Sequence, residues 1–243
     1  MKRTERHHLK ENELEKFARM AQEAVETRRR ELMAAIAVLA VIGVAAIGYW
    51  AWHARVQARA HALLASAVAV QETRVGAPAA PGLSGGTPSP SFATERERSL
   101  AALAKFKAAA DGYPTTDAGI FARYMEATTS MALGNPADAA REYQQVIDRA
   151  GSGIYGQMAR LGLAEAQARA GQYDQAINAF KDLAQRKDGP LPIDGILMQL
   201  GRTYRDAGKR DDAQQTFNRL VEEYPQSPFA GDAKRELDSL KKA

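Results

Sequence analysis

The sequence predicts an all-α protein in which a single transmembrane helix precedes a solenoid of helix-turn-helix repeats. Two observations carry this prediction: an uninterrupted apolar run near the N-terminus, and residues of matching type that recur every 37 positions in the C-terminal part. The 243-residue chain also contains no cysteine. This excludes disulfides, thiolate metal sites, a cysteine nucleophile and the lipidated cysteine of a bacterial lipoprotein.

The apolar run extends from Leu32 to Trp52 and contains no charged side chain. A helix of this length is about 30 Å long, which matches the hydrocarbon core of a bilayer. Basic residues are more frequent before the run than after it, so the N-terminus is expected in the cytoplasm and the C-terminal part on the far side. A cleaved signal peptide is the alternative, with an A-x-A site at Ala65-Ser66-Ala67.

Composition divides the rest of the chain into segments. Residues 1–31 form a charged, helical cytoplasmic tail, residues 32–52 the membrane span, and residues 53–75 a juxtamembrane helix. Residues 76–91 contain four Gly, four Pro and three Ser, which is typical of a flexible linker. Residues 92–243 form the repeat domain, and their 21 basic and 21 acidic residues argue against a nucleic-acid partner.

The repeat is defined by four aligned series with a step of 37 residues. A glycine, an alanine, an aromatic residue and an apolar residue each recur at this step, a period that indicates stacked supersecondary units. The series are Gly134, Gly171 and Gly208; Ala102, Ala139, Ala176 and Ala213; Phe106, Tyr143, Phe180 and Phe217; and Ala109, Val146, Leu183 and Leu220.

Each unit is expected to contain two helices separated by the glycine. First helices are predicted near 117–132, 154–170 and 193–206, and second helices near 95–111, 136–149, 174–187 and 210–223. Ser227 and Pro228 begin a final capping helix that extends to about Lys241. The earliest unit either uses residues 56–75 as its first helix, with a long loop, or is half a unit.

The sequence predicts no enzyme activity, no cofactor and no metal site. All four histidines, at positions 7, 8, 53 and 61, lie outside the repeat domain, so that domain lacks histidine-based acid–base chemistry and histidine ligands. Gly85-Gly86 is not followed by the GK[ST] of a phosphate loop. A small-molecule substrate is therefore not expected.

The last unit has the spacing L-x2-L-G-x2-Y, A-x3-F and P from Leu197 to Pro225 and resembles a tetratricopeptide repeat. The whole arrangement, ending in YPQSPFAGDAKREL, resembles the ancillary subunit of the bacterial Sec translocon. This resemblance implies an inner-membrane scaffold whose periplasmic repeats bind translocon subunits and periplasmic chaperones. The alternative is an envelope adaptor for cell division, the Tol system or outer-membrane assembly.

In tetratricopeptide arrays the first helices line the concave face, and the register of the glycines places ten side chains there. These expected partner-binding residues are Phe121, Tyr124, Thr128, Met131, Met158, Leu161, Glu165, Met198, Arg202 and Arg205. The methionines and aromatic residues suit varied apolar protein segments. The alternative for the apolar members is that they pack against neighbouring helices. The two arginines are expected to make one end of the groove favourable for anions.

Overall fold

The computed structural model describes residues 29–76, 91–186 and 189–242. The predicted charged tail before residue 29 and most of the predicted linker, residues 77–90, lie outside the described residues. The chain divides after Arg55 into two units.

The first helix, α1 (Arg29–Gln71), contains the predicted membrane span. It is long and apolar enough to cross a membrane, and none of its most apolar stretch is buried against the protein. The side chains of Leu39, Val44 and Trp50 are 67%, 72% and 73% exposed. This first unit therefore presents an apolar helix that is a candidate for a membrane span.

Eight further helices follow in the described residues, and their bounds lie within about two residues of the prediction at nearly every end. They are α2 (Glu95–Gly112), α3 (Asp117–Ala132), α4 (Pro136–Ala150), α5 (Ile154–Arg169), α6 (Tyr173–Gln185), α7 (Ile193–Asp206), α8 (Arg210–Glu223) and α9 (Ala230–Lys242). The capping helix begins later than predicted because Ser227 is used in the preceding turn. Its hydroxyl donates to Asp194 Oδ2 at 2.6 Å and accepts from the Phe229 amide at 3.0 Å.

The three repeated glycines end first helices in the same way. Gly134, Gly171 and Gly208 have φ angles of 83°, 77° and 74°, which a residue with a Cβ rarely adopts. At the first of these turns the Asn135 amide donates to the Ser130 carbonyl at 2.9 Å, and the other two turns repeat this bond. The glycine series therefore marks a Schellman-type end between the two helices of each unit.

The other three series form the core of the solenoid. Their aromatic members are 0–3% exposed, and their alanines are 0–1% exposed. Helices approach closely where a glycine faces an aromatic ring: a Cβ at Gly201 would lie 2.7 Å from Cδ1 of Phe217. The small residue thus permits the helix pair of a unit to pack.

The structure also decides between the two interpretations of the earliest unit. Ala67 of α1 is fully buried in one cluster with Ala102 and Phe106 of α2. Two short strands, β1 (Arg74–Val75) and β2 (Ser91–Phe92), pair in parallel at the ends of the intervening segment. The C-terminal part of α1 therefore serves as the first helix of that unit.

Candidate protein-binding face

Eight of the ten predicted groove residues have partly accessible side chains, and six of these lie on α3 and α5. We call this set the first-helix face; it comprises Phe121, Tyr124, Thr128, Met158, Leu161 and Glu165. The first three lie on α3 and the other three on α5. Because these helices are neighbours in the array, their residues form one surface.

Aromatic rings dominate the α3 side of the first-helix face. The Phe121 ring centroid lies 6.4 Å from that of Tyr124 and 5.3 Å from that of Tyr155. Tyr124 in turn lies 5.7 Å from Tyr143, which enters from the second helix α4. Sequence reasoning missed Tyr155, although it precedes Met158 by three positions and so lies on the same side of its helix.

The Tyr143 hydroxyl has polar neighbours near the contact between the Tyr124 and Tyr143 rings. Burial raises the pKa of the Tyr143 hydroxyl, and the neighbouring Tyr124 and Glu165 raise it further. The Thr128 hydroxyl lies next to this phenol and donates to the Tyr124 carbonyl at 2.8 Å. Both phenols therefore stay neutral and act as hydrogen-bonding groups rather than as acids.

Glu165 is a half-buried carboxylate of the first-helix face. Burial raises its pKa above the ordinary value, and the positive charge of Arg169 only partly opposes this effect. A cavity of about 180 Å³ lies beside it between α5 and α7. The carboxylate therefore lines this cavity and lies within electrostatic range of the Tyr124 and Tyr143 phenols.

Two predicted groove methionines are buried in the core instead. Met198 is 1% exposed and packs among the apolar residues of the last units, including Leu197 and Leu200. Met131 is 8% exposed and packs against Ala127 and Ala139. Neighbouring helices cover both side chains, so we do not include them in the first-helix face.

The two arginines of the predicted anion-friendly end pair with acidic residues of α9. Arg205 Nη1 contacts Glu236 Oε2 at 2.6 Å, and its other nitrogens contact Asp206. Arg202 lies 3.5 Å from Glu236 and 3.8 Å from Asp232. Both arginines bind the capping helix to α7 and carry no free positive charge.

A buried polar network, which the sequence analysis missed, joins α2, α3 and α4. Arg123 is 6% exposed and pairs with Asp111 and, at 2.6 Å, with Glu126. On α4, the Glu142 carboxylate accepts from the Ser130 hydroxyl at 3.0 Å. Burial, together with the negative charge of Glu126, raises the pKa of Glu142 to about 7.

The positions of Arg123, Glu126 and Ser130 contain the signal that could have revealed this network. They follow one another at steps of three and four residues, which places three polar side chains on one side of α3. Among the described residues, no group of three or more His, Cys, Asp or Glu side chains could hold a metal ion. The ion pair of Arg123 with Asp111 joins α2 to α3, and the hydrogen bond of Ser130 to Glu142 joins α3 to α4.

Several solved structures are similar to this chain. A Podosopora anserina protein described as a kinesin light chain with nearly identical TPR-like repeats gives a TM-score of 0.57 at 13% identity, over 76% of this chain and 86% of its own. The TPR protein YrrB, described as having an unusual peptide-binding site, gives 0.48 at 20% identity, over 58% and 68%. A tetratricopeptide repeat protein from Parabacteroides merdae gives 0.48 at 17% identity, over 60% and 55%.

The likeness to the Podosopora anserina protein supports only the fold of this chain, because the sequence identity is 13%. No curated protein matches the chain at a significant level. The family described as a tetratricopeptide repeat-like domain matches residues 28–228, which include α1 and all the repeat units. The chain belongs to the tetratricopeptide repeat-like domain family.

Proposed function

We propose that this protein is a single-pass membrane scaffold whose repeats bind partner proteins through the first-helix face. The observation that carries the proposal is the combination, in one chain, of an exposed apolar helix and a tetratricopeptide solenoid. Repeats of this family are typically non-catalytic scaffolds for protein–protein interaction. An apolar helix with side chains as exposed as Trp50 requires an apolar environment, and a bilayer provides it.

The proposed location is the bacterial inner membrane, with the N-terminus in the cytoplasm and the repeats in the periplasm. The excess of basic residues before Leu32 supports this orientation. The resemblance to the ancillary subunit of the Sec translocon supports translocon subunits and periplasmic chaperones as partners. The alternative partners are proteins of cell division, the Tol system or outer-membrane assembly.

Co-purification tests the proposal. The full chain is purified from its native membranes in mild detergent, and the proteins that accompany it are quantified by mass spectrometry. Met158→Asp places a charge on the first-helix face, whereas Gln145→Asp places the same charge on the exposed side of α4. We expect translocon subunits and chaperones with the unaltered chain and with Gln145→Asp, and at least about tenfold less with Met158→Asp.

Other outcomes separate the competing proposals. Enrichment of division, Tol or outer-membrane assembly proteins would support the envelope adaptor instead. A chain that enriches no protein above a control without the chain would contradict the scaffold proposal. Equal enrichment with both variants would place the binding surface elsewhere on the repeats.

A further inference from the structure

Glu165 is a half-buried carboxylate of the first-helix face. Within the described ranges, no side chain forms a hydrogen bond or an ion pair with its carboxylate. Glu126 and Glu236 each contact an arginine at 2.6 Å. A half-buried carboxylate without a partner loses hydration and gains little in return, so a ligand that supplies a positive charge would restore the missing interaction.

The groups around Glu165 suit a cation better than a neutral ligand. Glu165 on α5 shares the first-helix face with Tyr124 on α3, and its charge raises the pKa of the Tyr124 and Tyr143 hydroxyls. Phe121 and Tyr155 continue the aromatic surface at the distances given above. The faces of aromatic rings attract ammonium and guanidinium groups, and the attraction increases where water is partly excluded.

Glu165 also lines the cavity between α5 and α7. Its volume of about 180 Å³ is room for about six water molecules, so a side chain can reach the carboxylate from solvent. Two arginines also line it. Arg202 pairs with Asp232 and Glu236. Arg169 is exposed to solvent, and its positive charge only partly opposes the effect of burial on the pKa of Glu165. Asp206 is paired with Arg205.

We propose that Glu165, with the aromatic side chains of Tyr124 and Phe121, binds a lysine or arginine side chain of a partner protein. The occupant is a protein segment in which one basic residue lies among apolar residues. The apolar residues contact Met158 and Leu161, and the basic residue contacts Glu165. This inference rests on the proposed function, because it names the chemistry that the first-helix face would recognise.

An array of short capped peptides tests the inference with the full chain in nanodiscs. Each peptide consists of alanine and leucine and carries one lysine, arginine, norleucine or glutamate. Norleucine retains an aliphatic stem like that of lysine but has no charge. We expect the lysine and arginine peptides to retain at least about tenfold more protein than the norleucine peptides, and the glutamate peptides to retain the least.

Three variants test whether the preference for basic peptides depends on Glu165 and Tyr124. Glu165→Gln keeps the size of the side chain but removes its charge, and should reduce the lysine-to-norleucine ratio to about one. Tyr124→Leu should reduce the ratio by several-fold through loss of the ring face. Glu222→Gln makes the same change on the exposed side of α8 and should leave the ratio unchanged. Thermal unfolding of each variant shows whether the fold is retained.

The results distinguish failure of this inference from failure of the proposed function. Equal retention of lysine and norleucine peptides, or an unchanged ratio in both Glu165→Gln and Tyr124→Leu, would overturn the cation site but leave protein binding intact. Loss of the ratio in Glu222→Gln alone would place the cation site on the second helices and also overturn the inference. If no peptide is retained and no protein co-purifies with the chain, both proposals fail.

Discussion

Phe180 shows at the residue scale how the repeat is held together. Its ring has no exposed surface and lies in a cluster that includes Ala164 of α5 and Leu197 of α7. We expect Phe180→Ala to lower the free energy of unfolding by about 3–5 kcal/mol, because it removes the ring and leaves a cavity. Denaturant unfolding of the full chain, followed by far-ultraviolet circular dichroism, measures this loss.

Asn178→Ala is the matched control, because it alters an exposed side chain of the same helix. It should change the free energy of unfolding by less than about 0.5 kcal/mol. Equally small losses for both variants would show that the assignment of the aromatic series to the core is incorrect.

Glu142 should make the stability of the repeat domain depend on pH. Its pKa of about 7 lies above its ordinary value of 4.5, so the folded chain binds more protons than the unfolded chain between these values. The stabilisation is complete below the ordinary pKa and is lost as the pH rises through about 7. Ser130 and Arg123 favour the charged form but do not cancel the effects of burial and Glu126.

Glu142→Gln removes this titration while it keeps the size of the side chain. We expect the difference in free energy of unfolding between the variant and the unaltered chain to increase by about 1–2 kcal/mol, in favour of the variant, from pH 5 to pH 8. This value is reduced for solvent screening at a half-buried site. Denaturant unfolding at both pH values measures the gain. Glu222→Gln, on the exposed side of α8, should show no such trend. If the difference in free energy of unfolding for Glu142→Gln did not change with pH, the raised pKa of Glu142 would be contradicted.

At the scale of elements, helix pairing depends on the absence of a side chain at Gly201. A methyl group added at this position would lie 2.5–2.8 Å from ring carbons of Phe217. Gly201→Ala should therefore cost about 1–3 kcal/mol, because α7 and α8 must move apart. Gly231→Ala, in open space on α9, should be neutral or stabilise by about 0.4–1 kcal/mol. Thermal unfolding of the two variants compares them, and a more stable Gly201→Ala chain would refute this packing argument.

The 37-residue series was enough to predict the helices, because the same small and aromatic residues recur at each contact between them. It could not decide the first helix of the earliest unit, since the segment before Ser91 interrupts the period. Burial of Ala67 against Phe106, and the strand pair that brings residues 74–75 beside 91–92, come from contacts across that segment.

The candidate site was only partly predictable for a related reason. Helical spacing placed Phe121, Tyr124 and Glu165 on one side of the first helices, and the structure leaves all three partly accessible. The same spacing placed Met198 and Arg202 there, but it contains no information about neighbouring helices. Packing in the last units covers Met198, and the acidic residues of α9 neutralise Arg202.

At the scale of the whole molecule, the proposed orientation in the membrane can be tested with single cysteines, because the chain has none of its own. Ser84→Cys should react with a membrane-impermeant maleimide in intact spheroplasts, since we place residue 84 in the periplasm. Thr4→Cys should react only after the membrane is permeabilised. The opposite labelling pattern would place the repeats in the cytoplasm and exclude periplasmic partners.

Photo-crosslinking in living cells shows whether a partner protein binds the first-helix face. A photoreactive amino acid is placed at Met158, on the face, or at Gln144, exposed on the second helix α4. We expect the chain with the photoreactive amino acid at position 158 to capture a protein on irradiation, whereas the chain with it at position 144 should capture little. Stronger capture from position 144 would contradict binding at the first-helix face and assign it to the second helices.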